Sequence, residues 1–289
     1  MKRPADAIRW RDITLRHLLQ HRGGWDRDQS FDAMFQSVRF ALKFHAQPPA
    51  SPQVVIRAML AEKLDFVPGE RYAYSNFGYC LLGRVIERLS GRSYEQFVQD
   101  EVLRPLGIQT MKLGRTRLED RAAGEVRYYQ PGSSSSVFAS ELGQDVSRPY
   151  GSWYLEAMDA HGGWLASAED LIRFASAFDD LDKCPILNRQ SIEEMFQRPD
   201  GAAGYEADGS KKEIYYSLGW MNREVGGSRV NHWHTGSLDG TATILIRRHD
   251  GRNMVGLLNT RSSTASPHLG RELDQIMHVA ADGLSRPTP

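Results

Sequence analysis

The chain has 289 residues, of which 36 are Lys or Arg and 36 are Asp or Glu, so its formal net charge at neutral pH is zero. This balance gives no indication of a nucleic-acid partner or of an anionic membrane surface. No apolar run approaches the roughly 20 residues that a membrane span needs, so none is expected. The two cysteines, Cys80 and Cys184, form no cluster that would indicate a zinc site or a disulfide framework.

The first third of the chain has the pattern of several helices. Thr14 is a candidate N-cap for a short helix over residues 15–19, which Gly23 and Gly24 end. Apolar residues at loose helical spacing predict a helix within residues 31–44, and a further helix is predicted over residues 54–64.

The strongest helical signal lies at residues 78–89, where five apolar side chains share one face: Tyr79, Leu82, Val85, Ile86 and Leu89. Cys80 lies inside this segment and is predicted to be a buried free thiol. Ser93 and Gln96 have the spacing of a capping box for a following helix that reaches Leu103.

The middle of the chain is predicted to be less regular. Residues 130–143 include four consecutive serines and are typical of a flexible loop without regular structure. Helices are predicted over residues 169–178 and 191–196, and residues 199–213 have the composition of an exposed loop.

The last quarter of the chain changes to a β pattern. Strands are predicted over residues 214–221, 230–235, 241–247 and 253–259, and a closing helix over residues 269–280. Helices followed by an antiparallel meander and a covering helix predict an α+β fold. We expect one domain over residues 1–289, with a mainly helical lobe over about residues 14–198 and the sheet with its helix over about residues 214–281.

Two short segments carry side chains suited to acyl transfer. Residues 68–78 bring Tyr74 and Asn76 to a loop-to-helix junction, and residues 234–241 end one strand and open the next. A phenol can act as general acid or base when a nearby cation lowers its pKa, and an Asn amide offers a donor and an acceptor. Gly236 lets a substrate approach the strand edge, where backbone N–H groups can stabilise an oxyanion.

These segments resemble motifs of the penicillin-recognising serine hydrolases, the family of DD-peptidases, class C β-lactamases and related esterases. Residues 74–76 (Tyr-Ser-Asn) resemble its Tyr-x-Asn motif, and residues 234–236 (His-Thr-Gly) resemble its Lys-Thr-Gly or His-x-Gly strand motif. Residues 13–21 are similar to its Ile-Thr-rich helix, residues 162–171 to its Gly-Gly-x-x-Ser segment, and residues 105–107 (Pro-Leu-Gly) close a helix where the family usually does. Because five matches occur in the same order, the resemblance is specific.

The resemblance implies a role for each motif residue. Tyr74 would shuttle the proton of the nucleophile and leaving group, Asn76 would contact the acyl amide of the substrate, and His234 would help to hold the charge of the site. The N–H group of Ser237 would supply half of an oxyanion hole. The implied catalytic residues are therefore Tyr74, His234 and Ser237, and the implied substrate-binding residues are Asn76, Thr235 and Gly236. The implied substrate is a small molecule or peptide with an amide or ester bond, and no cofactor or metal is implied.

One part of the family pattern is missing. The family's nucleophile is the Ser of a Ser-x-x-Lys helix that precedes the Ile-Thr-rich helix, but none of the seven lysines in this sequence follows a Ser at that spacing. We therefore expect the N-terminal strands and the nucleophile helix to be absent from this chain, which should then be unable to form an acyl-enzyme. The gap should leave apolar surface exposed and favour self-association.

Other interpretations remain open. The sequence contains no Gly-x-Ser-x-Gly motif, which argues against an α/β-hydrolase nucleophile elbow. His232 and His234 lie on one side of a predicted strand as a metal pair would, but no third ligand follows at useful spacing. The main alternative is a binding or regulatory protein that keeps the cleft without the chemistry. The start of the sequence lacks a secretory signal pattern, and both a periplasmic and a cytoplasmic location are compatible with it.

Overall fold

The computed structural model describes residues 9–262 and 269–284, and these residues form a helical region followed by an antiparallel sheet. Its α-helices are α1 (Leu15–Leu19), α2 (Ser37–Lys43), α3 (Pro52–Met59), α4 (Asn76–Ser90), α5 (Tyr94–Val98), α6 (Ala168–Ser176), α7 (Arg189–Phe196) and α8 (Leu269–Gly283). A π-helical turn, Gln99–Leu103, continues α5.

The strands are β1 (Lys112–Leu113), β2 (Ser133–Ser135), β3 (Asp145–Ser147), β4 (Trp164–Leu165), β5 (Ile214–Tyr216), β6 (Met221–Glu224), β7 (Val230–Leu238), β8 (Thr241–Arg247) and β9 (Asn253–Leu258). The last five form one sheet in the order β5-β6-β7-β8-β9, and every neighbouring pair is antiparallel. β1 pairs with β4, and β2 pairs with β3, in two separate two-stranded ribbons. The predicted α+β class is confirmed.

Side-chain caps determine where α1, α3 and α4 begin. Thr14 accepts a hydrogen bond from the backbone N–H of His17 and forms a capping box, which confirms the predicted start of α1. Ser51 caps α3 and Pro52 occupies its first turn, so this helix begins two residues earlier than predicted and ends sooner, at Met59.

The prediction for α4 is confirmed in its extent and wrong in part of its buried face. Ser75 caps the first turn and Gly91 ends the helix in the left-handed conformation, at φ 70°. Cys80 is a buried free thiol, as predicted. However, Leu89 is 79% exposed, because Phe77 and Cys80 mark the face that packs against the main core.

Two predictions about irregular segments and strands are wrong. Residues 130–143 were expected to lack regular structure, but β2 lies within them and pairs with β3 through backbone hydrogen bonds that do not depend on the Ser side chains. The predicted strand over residues 214–221 is two strands, β5 and part of β6, separated by a turn in which Gly219 has φ 90°.

The five-stranded sheet lies between α8 and the helices α6 and α7. The side chains of Ile244 and Ile246 in β8 are buried, and α8 contacts this strand. On the opposite face, Arg247 donates to the backbone carbonyl of Ala175 in α6, and Phe196 of α7 stacks on His232 with the ring centroids 4.0 Å apart. The sheet is therefore covered by helices on both faces.

The helical region has a core of its own. It is built around the buried side chains of Phe40, Phe77 and Met158 together with Trp25, and the half-buried Leu238 of β7 packs against it. Contact between this core and β7 brings the start of α4 close to the sheet. Within residues 9–262 and 269–284, no helix is long and apolar enough to cross a membrane.

Candidate active site

The junction that precedes α4 is held in place by His21, which is 2% exposed. The backbone N–H of Ser75 donates to Nδ1 of His21 over 3.1 Å, and the backbone N–H of Ala73 donates to the carbonyl oxygen of His21 over 2.9 Å. The backbone N–H groups of the two residues on either side of Tyr74, Ala73 and Ser75, are thereby both bonded to one buried residue. The hydroxyl of Ser75 accepts from the backbone N–H of Gly78 and completes the cap of the helix.

Tyr74 lies at the centre of a group of aromatic rings. Its ring centroid is 4.2 Å from that of His21, 6.5 Å from that of Tyr216 and 6.4 Å from that of His234. The guanidinium carbon of Arg27 lies 4.8 Å from the centroid of the Tyr74 ring, which is within the range of a cation–π contact. Tyr74 and His234 are 160 positions apart in the numbering, and the fold brings them to one site.

His234 is oriented by hydrogen bonds at both ring nitrogens. Nδ1 lies 2.8 Å from the carbonyl oxygen of Thr235, and Nε2 lies 3.0 Å from the hydroxyl of Tyr216. A carbonyl oxygen only accepts, so Nδ1 carries the proton of the neutral ring and Nε2 accepts from Tyr216. With both nitrogens engaged, His234 has no lone pair free to form a metal pair with His232.

Asn76, the first residue of α4, is bonded to a half-buried carboxylate. Its Nδ2 donates to Oδ2 of Asp32 over 2.6 Å, and the other oxygen of Asp32 accepts from the backbone N–H of Met34 over 3.1 Å. A guanidinium nitrogen of Arg27 lies 4.0 Å from Oδ2 of Asp32. Arg27, Asp32, Asn76 and Tyr74 therefore form one polar cluster at the start of α4.

Burial shifts the pKa values of several titratable groups in this cluster toward their neutral forms. Burial raises the pKa of Tyr74, the Arg27 guanidinium lowers it in part, and Asp32 raises it again. Burial also lowers the pKa of His234, and it lowers that of His21 well below the usual value. Burial raises the pKa of Asp32 as well, and the hydrogen bonds from Met34 and Asn76 together with the Arg27 guanidinium lower it in part. At neutral pH the phenol is protonated and both imidazoles are uncharged.

The remaining predicted site residues follow His234 along β7. The alternation of a strand places His234 and Gly236 on one face, and Thr235 and Ser237 on the other, where both are exposed. A Cβ atom on Gly236 would lie 2.3 Å from Oγ1 of Thr243 on the neighbouring strand, so only Gly fits without a shift of that side chain. No hydrogen bond or ring contact within the described ranges joins Thr235 or Ser237 to Tyr74.

The structure places the predicted site residues at different distances from one another. The fold brings Tyr74 and His234 together, with Asn76 nearby. The side chains of Thr235 and Ser237 point to the other face of β7, so only their backbone groups lie beside the site. Sequence reasoning did not single out five further residues that build the site: His21, Arg27, Asp32, Tyr79 and Tyr216. In the ranges that can be described, no group of three or more His, Cys, Asp or Glu side chains is arranged to hold a metal ion.

Comparisons with known proteins identify the family of the chain. A family model described as beta-lactamase matches residues 4–276 of the chain. Penicillin-binding protein 4* of Bacillus subtilis is 27% identical over 260 residues, which cover 87% of this chain and 52% of the relative. The lovastatin esterase of Penicillium rubens is 27% identical over 211 residues, which cover 71% of this chain and 49% of that enzyme.

A solved structure supports the fold independently. The D-amino acid amidase of Ochrobactrum anthropi SV3, in a complex with L-phenylalanine amide, superimposes with a TM-score of 0.65 at 19% identity, covering 95% of this chain and 73% of the amidase. At this identity the likeness concerns the fold alone. The chain spans about half the length of the two curated relatives described above, at 52% and 49%.

Proposed function

The chain belongs to the beta-lactamase family, and from that premise we propose that it forms the Tyr74–His234 part of an acyl-transfer site for amide or ester substrates. The observation that carries this proposal is the convergence of Tyr74, Asn76 and His234 around a buried, hydrogen-bonded junction. The substrate is a small molecule or a peptide with a carbonyl group that accepts a nucleophile.

In this proposal Tyr74 is the proton carrier. Because burial holds its pKa high, the phenol is protonated at neutral pH and can donate a proton to the leaving amine or alkoxide. The phenolate that remains is stabilised by the Arg27 guanidinium, which lies over the ring. The neutral His234 keeps the hydroxyl of Tyr216 in place and contributes charge only at acidic pH, where it binds a proton.

Substrate binding is assigned to the start of α4 and to the edge of β7. Asn76 contacts the acyl amide of the substrate, and the exposed Thr235 with Gly236 lies along the bound substrate. The backbone N–H of Ser237 supplies one donor of the oxyanion hole, a role that does not depend on the direction of its side chain.

We further propose that residues 1–289 do not form an acyl-enzyme on their own. No Ser in this sequence has a Lys three positions later. Ser75, the Ser nearest to Tyr74 in sequence, is 7% exposed, and its hydroxyl is engaged in the cap of α4. A nucleophile must therefore come from a further segment of polypeptide, or the chain binds its ligands without cleaving them.

A labelling experiment tests this part of the proposal. The protein is incubated with a fluorescent penicillin or a fluorophosphonate, and its intact mass is measured under denaturing conditions. We expect no covalent adduct, while a penicillin-binding protein treated in parallel becomes labelled. A stoichiometric adduct that maps to Ser75 or Ser237 would show that this chain contains a nucleophile after all.

Self-association through exposed apolar surface is also part of the proposal. Among the described residues, β9 is an edge strand of the sheet, and Leu257 is 38% exposed on the face opposite α8. Ile276 and Val279 on α8, at the other face, are more exposed still. An unpaired apolar edge is a template for pairing with another chain. Light scattering coupled to size exclusion should therefore reveal a dimer that Leu257→Lys dissociates, and a monomer at all concentrations would refute self-association.

A further inference from the structure

A second cleft lies between α7 and the sheet, and it shares no lining residue with the candidate active site. Its volume is about 880 Å³. α7 contributes Glu193, Glu194 and Phe196 to its walls, and the sheet contributes His232 of β7 and His249 of the turn that follows β8. None of these five side chains has a role in the proposed acyl transfer.

The tautomer of His232 is set by Asn222, which is fully buried. Nδ2 of Asn222 donates to Oγ of Ser217 and to the carbonyl oxygen of Trp220, each over 2.9 Å. The other end of the amide, Oδ1, therefore faces Nδ1 of His232, at 2.6 Å. Because an amide oxygen only accepts, Nδ1 carries the proton of the neutral ring, and Nε2 is an acceptor. Burial lowers the pKa of His232 to about 4, so the ring is neutral at pH 7.

Asn231 sets the tautomer of His249 in the same way. Its Oδ1 accepts from the backbone N–H of His249 over 3.0 Å, which identifies this atom as the oxygen of the amide. The same oxygen lies 2.9 Å from Nδ1 of His249, so Nδ1 donates and Nε2 has no proton in the neutral ring. Within residues 9–262 and 269–284, Nε2 of neither His232 nor His249 has a hydrogen-bond partner, and neither atom is sealed from solvent. Two acceptors are thus left open in one cleft.

The charges that line the cleft favour a cation over an anion. Glu193 and Glu194 supply two carboxylates against one guanidinium, that of Arg229. Nε and Nη2 of Arg229 donate to two backbone carbonyl oxygens of its own turn, which hold this guanidinium in place. Glu194 is paired with Arg16, whereas Glu193 lies 3.6 Å from Arg189, beyond hydrogen-bonding distance. Glu193 is therefore the carboxylate that remains open to a ligand.

We propose that this cleft binds a primary ammonium group, which donates to Nε2 of His232 and His249 while Glu193 balances its charge. An ammonium carries three N–H donors and no acceptor, so it matches the open acceptors of the cleft. No three His, Cys, Asp or Glu side chains of the described residues are arranged around one metal ion, so the occupant is an organic cation. The ammonium belongs to a diamine or to an aminoacyl compound, and its binding does not depend on the acyl transfer proposed above.

Three ligands with the same four-carbon chain separate charge from N–H donation: putrescine, 1,4-butanediol, and the putrescine analogue that carries two trimethylammonium ends. Dissociation constants are measured at pH 8 by NMR titration, from the ring signals of His232 and His249. Putrescine should bind at least about tenfold more tightly than either analogue, because a charged donor strengthens the hydrogen bond. Equal binding of putrescine and one analogue, or no binding of putrescine, would overturn the proposal.

A fourth ligand, glycinamide, identifies the source of the ammonium. It carries one ammonium group next to an amide, as aminoacyl compounds do. Binding as tight as that of putrescine supports an aminoacyl ligand, and weaker binding supports a diamine.

Two variants remove one partner each. His249→Phe keeps an aromatic ring without the acceptor and should weaken putrescine binding about tenfold. Glu193→Gln removes the open carboxylate at an exposed position, so it covers the case in which His249→Phe does not fold, and it should weaken binding about two- to tenfold. Glu206→Gln is the control, since Glu206 is exposed and lies outside the cleft, and it should keep the wild-type affinity. Wild-type affinity in both cleft variants would contradict the proposal.

A ligand-free measurement tests the two tautomers directly. Long-range ¹H–¹⁵N spectra at pH 8 should show a protonated Nδ1 and an unprotonated Nε2 in both His232 and His249. In Asn231→Ala, which removes the acceptor of the His249 Nδ1–H, the tautomers of His249 should become mixed while that of His232 is unchanged. A proton on Nε2 of either ring in the wild type would overturn the proposal before any ligand is added.

Discussion

The buried ring of His21 offers the clearest test of how the candidate site is held together. His21→Phe keeps an aromatic ring between Tyr74 and Tyr216 but removes the Nδ1 acceptor of the Ser75 N–H. His21→Asn does the opposite, because its side-chain oxygen can replace Nδ1 while the ring is lost. The two variants therefore separate the hydrogen bond from the packing.

The loss of unfolding free energy expected for each variant follows from the contacts of His21. His21→Phe leaves a backbone N–H unsatisfied at a residue that is 7% exposed, which should cost about 1–3 kcal/mol. His21→Asn removes a ring whose centroid lies 4.2 Å from that of Tyr74 and 4.5 Å from that of Tyr216, and the lost packing should cost about 2–4 kcal/mol. Chemical denaturation measures both values.

Amide exchange distinguishes the two causes. The Ser75 N–H should exchange at least about tenfold faster in His21→Phe than in the wild type, and should stay protected in His21→Asn although that variant is the less stable. The buried amide of Ile244 in the sheet provides an internal reference for global unfolding. If His21→Phe keeps both the stability and the Ser75 protection of the wild type, the account of this junction is wrong.

Three further predictions concern other buried groups. Burial lowers the pKa of His161 from 6.5 to about 3, so the unfolded chain binds a proton at a higher pH than the folded protein does. The free energy of unfolding should therefore fall as the pH drops below 6.5, by up to about 1.4 kcal/mol per pH unit. Urea unfolding at several pH values should show a shallower fall in His161→Leu, and an unchanged fall would contradict this. Burial raises the pKa of Cys80 to about 12, so iodoacetamide at pH 8 should modify the half-buried Cys184 first, and faster labelling of Cys80 would be the contrary result. A Cβ atom on Gly204 would lie 2.0 Å from the backbone oxygen of Pro199, so Gly204→Ala should lower the free energy of unfolding by about 1–3 kcal/mol in a denaturant titration, and a change below about 0.5 kcal/mol would refute this.

Local sequence signals predicted the elements that depend on local contacts. α4 was predicted to within two residues, because its periodicity and the Ser90-Gly91 stop are signals carried by neighbouring residues. The break between β5 and β6 was missed, since the turn that contains Gly219 lies inside an apolar run without a typical hairpin dipeptide. β2 was missed because its pairing with β3 is made by the backbone and leaves no side-chain pattern.

The same difference between local and long-range contacts applies to the residues of the candidate site. Tyr74 and His234 were singled out from the sequence because each lies in a motif that can be identified from adjacent residues. Asp32 and His21 were missed, since they reach the site through bonds to Asn76 and Ser75 that span 44 and 54 positions. Such contacts depend on how the helices pack, which single-sequence patterns do not specify.

The most direct test of the central claim compares native and denaturing mass spectrometry of the protein mixed with N-acetyl-D-alanine methyl ester. The claim is that Tyr74, Asn76 and His234 form an acyl-ligand site whereas residues 1–289 supply no nucleophile. We expect a complex in the native spectrum that is weakened by Asn76→Ala and is absent from the denaturing spectrum. A covalent acetyl-alanyl adduct that survives denaturation, or the absence of any complex in the native spectrum, would contradict the account.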